Sequence, residues 1–93
     1  MKEITEEKLK NYFDVTKRAI EKAKVSGNRL NLENERADCL DMIERYFSDA
    51  LHFQKQGHFV NAFAALNYAH GWLDACARLG LFDVHDSELF TVD

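Results

Sequence analysis

Apolar residues recur at spacings of three and four along three separate stretches of the chain. In the first, Leu9, Tyr12, Phe13, Thr16, Ala19, Ile20 and Ala23 keep this period. Strict alternation fails there, so the pattern predicts a helix over 5–26 rather than a strand. Thr5 is placed to cap it, with Glu6 and Glu7 facing the positive end of the helix dipole. Its end falls near Val25-Ser26-Gly27-Asn28, where Gly27 or Asn28 can take the left-handed conformation of a C-cap. The second stretch predicts a helix over 33–56, with Ala37, Leu40, Ile43, Phe47, Ala50 and Leu51 apolar and Asn31 or Asn34 as cap. The third predicts a helix over 59–79, from Phe59 through Ala62, Phe63, Leu66, Ala69, Leu73 and Cys76, closed by Gly80.

Gly57 separates the last two helices by so short a connection that they must form an antiparallel hairpin. Beyond Gly80 the helical period stops, yet Leu81, Phe82, Val84, Leu89, Phe90 and Val92 follow. That is too many apolar side chains for a solvated tail, so part of 81–93 should fold back. The expected fold is therefore all-α: a single domain over 1–93, an up-and-down three-helix bundle with a non-helical C-terminal tail packed against it.

Stripe widths differ between the helices. At 100° per residue the first stripe spans about 120°, the second about 220° and the third about 240°. A helix in a three-helix bundle meets two neighbours, so the hairpin carries more apolar surface than the bundle needs. The face with Tyr46, Tyr68 and Trp72 is the candidate interface, for a homodimer or another protein through the second and third helices. The alternative is that the tail alone covers it.

The third helix also carries a polar wedge of Asn67, Gly71, Asp74 and Arg78, with His70 on its border. Asp74 and Arg78 are spaced as an i,i+4 ion pair, and His70 and Asp74 as an imidazole–carboxylate pair. Gly71 costs about 1 kcal/mol in a helix interior relative to alanine, which invites the approach of another helix or a ligand. Asn67, His70, Asp74 and Arg78 are thus the candidate polar site. The competing reading is an ordinary solvent face with His70 bonded at the core boundary.

Other chemistry finds little support. Zinc wants three or four ligands, and no CxxC or HExxH is present, so no metal site is expected. No glycine-rich phosphate loop is present, and no cofactor is expected. Asp38, Asp41 and Glu44 suit the dipole of the second helix. Cys39 and Cys76 are nearly equidistant from Gly57, so they should lie level on neighbouring helices, either as two buried thiols or as a disulfide. No histidine stands at a helical spacing to activate either, so no catalytic residue is assigned.

Composition narrows the picture further. Apolar residues make up 46% and charged residues 30%, a globular balance, and proline is absent, which favours uninterrupted helices. A net charge of −4 gives no global attraction to nucleic acid or anionic membrane. Lys8, Lys10, Lys17, Arg18, Lys22 and Lys24 are interleaved with Glu3, Glu6, Glu7, Asp14 and Glu21, the pattern of a solvated helix face. Met1-Lys2-Glu3-Ile4-Thr5-Glu6 lacks the apolar stretch of a secretory signal, and no run approaches a membrane span. A cytoplasmic location is the expectation.

The run Asn67-Tyr68-Ala69-His70-Gly71-Trp72-Leu73-Asp74-Ala75, followed by Arg78-Leu79-Gly80-Leu81-Phe82, resembles the archaeal family known as domain of unknown function 357. The preceding helix and the Gly57 turn are similar too. The resemblance implies an up-and-down three-helix bundle, an archaeal source and no assigned activity. A looser likeness to the HEPN helical domains rests on the helix–Gly–helix hairpin. Ribonuclease members of that group carry an Arg and a His four to six residues apart, which would correspond to Arg78 and His85. The leading functional expectation is a non-enzymatic interaction or self-association module. The alternatives are a small-ligand or nucleotide-binding accessory domain using the Asn67–Arg78 line, and a HEPN-like nucleic-acid-processing domain.

Overall fold

The computed structural model describes residues 4–91. Met1, Lys2, Glu3 and Val92, which entered the sequence reading, lie outside the described residues. Three helices follow in order: α1 (Glu6–Val25), α2 (Glu33–Lys55) and α3 (Phe59–Leu79). No strand occurs among the described residues. The chain is an all-α bundle in which α3 touches both other helices and α1 and α2 barely meet.

Local chemistry explains each boundary. The Thr5 hydroxyl accepts the backbone N–H of Lys8 at 3.1 Å and starts α1. The end of α1 departs from expectation. Ser26 is extended (φ −77°) and its hydroxyl donates to the Ala23 carbonyl at 2.8 Å. Neither Gly27 nor Asn28 is left-handed; Asn31 takes that conformation instead, at φ 56°. A left-handed cap is unnecessary because Arg36 supplies the missing donors. Its Nη2 lies 2.7, 3.1 and 2.8 Å from the carbonyl oxygens of Ala23, Lys24 and Ser26. A cation from α2 therefore closes the negative end of α1.

The start of α2 also differs. Its N-cap is Leu32, with no side-chain cap. Asn31 is committed to the left-handed turn and Asn34 lies within the helix, so neither caps it. Glu33 and Glu35 in the first turn still oppose the dipole.

Both ends of the α2–α3 hairpin use one device. At Gly57 (φ 78°) the N–H of His58 bonds to Phe53 O at 2.9 Å and that of Gly57 to Gln54 O at 3.0 Å. At Gly80 (φ 101°) the N–H of Leu81 bonds to Cys76 O at 2.9 Å and that of Gly80 to Ala77 O at 3.1 Å. These paired bonds form a Schellman motif, which needs a left-handed residue.

The core has two parts. Leu9, Phe13, Ala50, Ala62 and Leu66 fill the end next to the Gly57 turn. The larger part joins Ala19, Ala23, Ile43, Leu73 and Cys76 to the C-terminal segment. That segment folds back as expected: Leu81, Phe82, Val84, Leu89 and Phe90 are all buried. Two backbone bonds, Arg29 N–H to Gly80 O and Asp83 N–H to Gly27 O, both 2.9 Å, stitch its start to the α1–α2 loop. Lys22 then holds Asp86 at 2.6 Å. This bond, with the Glu88 N–H, keeps the Asp86 carboxyl below its ordinary range.

Candidate functional site

His70 sits on α3 where α1 and the returning tail converge. Its Nε2 is 2.6 Å from the Leu89 carbonyl oxygen, and its Nδ1 is 3.0 Å from the Thr16 hydroxyl. A carbonyl only accepts, so Nε2 carries the proton, and the Thr16 hydroxyl donates to Nδ1 in the neutral ring. Thr16 is 2% exposed, and this bond satisfies its hydroxyl.

Asp74 is engaged in the same way. Its carboxylate accepts the Thr91 N–H at 2.8 Å and lies 3.4 Å from the Thr91 hydroxyl. His70 stands 3.9 Å from it, at the outer limit of an ion pair. The expected i,i+4 pair between Asp74 and Arg78 does not form, because Asp74 is turned towards the tail. Arg78 and Asn67 are exposed.

The structure thus brings His70 and Asp74 together and gives both of them backbone partners in the tail. Tyr12, Thr16, Asn67, Gly71, His70 and Asp74 line a cleft of about 250 Å³. This falls below the ~300–1,000 Å³ of a typical small-molecule site. Among the described residues no three of His, Cys, Asp and Glu are grouped to hold a metal ion. His85 bonds to Asp83 at 3.0 Å on the exposed tail. Gly80 ends α3 between Arg78 and His85, so the two do not share a helix.

The cysteines are both thiols. Burial pushes the Cys76 thiol up to about 12, and its hydrogen bond with Cys39 adds to the shift. Cys76 therefore stays protonated at neutral pH, the opposite of what a nucleophile needs.

Gly71 has a telling environment. A Cβ built there meets nothing within 4 Å. Although α1 borders the same cleft, it does not pack closely enough to need a missing side chain, so no tight contact inside the chain offsets the cost of Gly71 to α3.

The face with Tyr46, Tyr68 and Trp72 stays open. The tail covers the His70–Asp74 side of α3 instead. Tyr68 remains 49% exposed and Trp72 38%. Tyr46 and Tyr68 pack edge to face with ring centroids 4.6 Å apart, bridging α2 and α3. One shallow groove runs between Tyr46, Asp49, Phe53, Asn61, Ala64 and Tyr68, and a second past Asn67, Gly71, Trp72 and Ala75.

Arg36 is the residue whose importance sequence reasoning missed. Besides capping α1, its guanidinium lies over the Phe82 ring, 5.6 Å from the centroid. It ties all three helix–loop junctions at that end together. A lone arginine three residues into a helix carries no periodic signal that would reveal this.

No described helix is long and apolar enough to cross a membrane. No curated protein and no solved structure matches the chain. The family model described as "Protein of unknown function (DUF357)" matches residues 11–82, and the chain belongs to that family.

Proposed function

We propose that this chain is a non-enzymatic helical module for interaction or self-association, and that it binds through the Tyr46, Tyr68 and Trp72 face of α2 and α3. One observation carries the reading: after the tail has folded, Tyr68 and Trp72 are still 49% and 38% exposed. Large aromatic side chains left half-open beside small residues are what a binding surface offers a partner. The polar line supports this indirectly. His70 and Asp74 spend their polar atoms on Thr16, Leu89 and Thr91, leaving Asn67 and Arg78 as its exposed members. A cytoplasmic setting agrees with two thiols kept reduced.

The test is site-specific photo-cross-linking in the cells that make the protein. A photoreactive phenylalanine at Tyr68 should give a discrete protein adduct, and the same group at Lys17, on the exposed side of α1, should not. Adducts from Lys17 with none from Tyr68 would reassign the surface.

A further inference from the structure

We infer that the partner at this face is a second copy of the chain. The two α3 helices would pack antiparallel across Gly71, with Arg78 of each copy set against Asp49 of the other. This rests on the reading of the α2–α3 face as an interaction surface and names its occupant.

Symmetry carries the argument. In an antiparallel pair with its two-fold axis at Gly71, residues equally far before and after that position face one another. Four residues away, Asn67 meets Ala75. Seven residues away, Ala64 meets Arg78. Four and seven residues are about one and two helical turns, so these positions lie along one line with Gly71. Along that line Gly71 has no side chain and Ala64 and Ala75 are small, with Tyr68 and Trp72 flanking it, and beyond its own helix neighbours nothing comes within 4 Å of a Cβ at Gly71. A second helix can therefore approach closely at the one point where α3 gives up its side chain.

The charges match the same register. Ala64 borders the groove that also contains Asp49 of α2. Bringing Arg78 opposite Ala64 delivers a guanidinium to that carboxylate. Among the described residues, neither Asp49 nor Arg78 forms an ion pair within the chain. The two-fold axis makes the contact twice. A different protein would not require this chain to carry both members of the pair at matched positions; a second copy does. Size is adequate as well. The body measures 40 × 24 × 18 Å, enough to offer the ~800 Å² per partner of a standard interface.

Sedimentation equilibrium of the full chain with charge swaps tests the inference. The native chain should dimerise. Arg78→Glu and Asp49→Arg should each weaken the dimer roughly tenfold or more, because each puts like charges together twice. The double variant should restore it, since it re-forms both pairs with their signs exchanged. Both residues are exposed; the dilute Asp49→Arg variant should melt like the native chain, and Arg78→Glu, in the last turn of α3, should melt only a few degrees lower through the helix dipole and stay folded. A native dimer indifferent to both swaps, or a double variant that fails to recover, overturns the register. If that dimer is still lost on Trp72→Ala, the face survives and only the antiparallel arrangement falls. A native chain that stays monomeric at high concentration overturns the second copy as occupant, and the face is then judged by the Tyr68 cross-link alone.

Discussion

Replacing Gly71 with alanine should stabilise the isolated chain. Gly71 lies inside α3 and nothing stands within 4 Å of the added carbon. The methyl therefore brings no clash, and the change reduces to helix propensity. That difference is about 0.8–1.0 kcal/mol in favour of alanine, arising from the conformational freedom glycine loses on folding. For a chain of this size ~1 kcal/mol corresponds to a rise of about 4–8 °C in the melting midpoint. Urea unfolding of the dilute protein is the assay, with the slope expected to stay constant while the midpoint rises. Gly80→Ala is the contrasting variant. Gly80 has φ 101°, and a Cβ there meets Leu30 Cγ at 3.3 Å, so that change should destabilise by about 1 kcal/mol or more. If Gly71→Ala left the dilute protein unchanged or weaker, some part of the chain must already use the space. The reading of Gly71 as a gap kept for a partner would then fail. In concentrated solution the gain should shrink, because the methyl holds a second helix away.

Three further outcomes follow from the same geometry. Arg36→Ala should cost about 1.5–3 kcal/mol, the range for hydrogen bonds involving a charged group; Arg36→Lys should not fully restore it, because an ammonium cannot match the guanidinium over Phe82, and thermal melting of both variants decides. His70→Ala should cost about 1–3 kcal/mol by leaving the Thr16 hydroxyl and the Leu89 carbonyl without their partner, and hydrogen exchange should show Leu89 and Phe90 losing protection ahead of α2; unchanged stability would favour a ligand site instead. Cys76, with its thiol raised to about 12, should resist alkylation in the folded protein while Cys39 reacts. Because the folded value lies above the unfolded one, the contribution is complete below the ordinary thiol range and is lost as pH rises from there towards 12. Stability measured across alkaline pH should therefore decline, and an unchanged value would contradict burial of this thiol.

Periodicity made the three helices and their hairpin legible, because positions such as Leu66, Ala69, Leu73 and Cys76 keep the helical spacing and all are buried. Gly57 and Gly80 were equally readable, since both Schellman turns demand a left-handed residue. The return of the tail followed from its excess of apolar residues. Its path did not, because that depends on tertiary bonds between residues far apart in sequence, such as Lys22 with Asp86 and His70 with Leu89. The α1–α2 loop was misjudged for a related reason. Gly27 and Asn28 are good local cap residues, but Arg36 reaches back from α2 and supplies the donors from outside the segment. The candidate polar site was seen as a line of residues on one helix. Spacing alone showed that His70 and Asp74 are neighbours, and it could not show that the tail would occupy them both. Stripe width marks surplus apolar surface on the second and third helices, and Tyr68 and Trp72 are exposed because the tail takes the other side of α3.

The central claim is that a second copy of the chain rests on the α2–α3 face. Trp72 is the only tryptophan of the chain, and it stands in that face with 38% of its surface exposed. Acrylamide quenching of its fluorescence therefore reports on the surface without any substitution. As protein concentration is raised, quenching should weaken in step with association, as a second copy covers the indole. A quenching constant that stays the same from dilute solution to the highest concentration attainable would contradict the account.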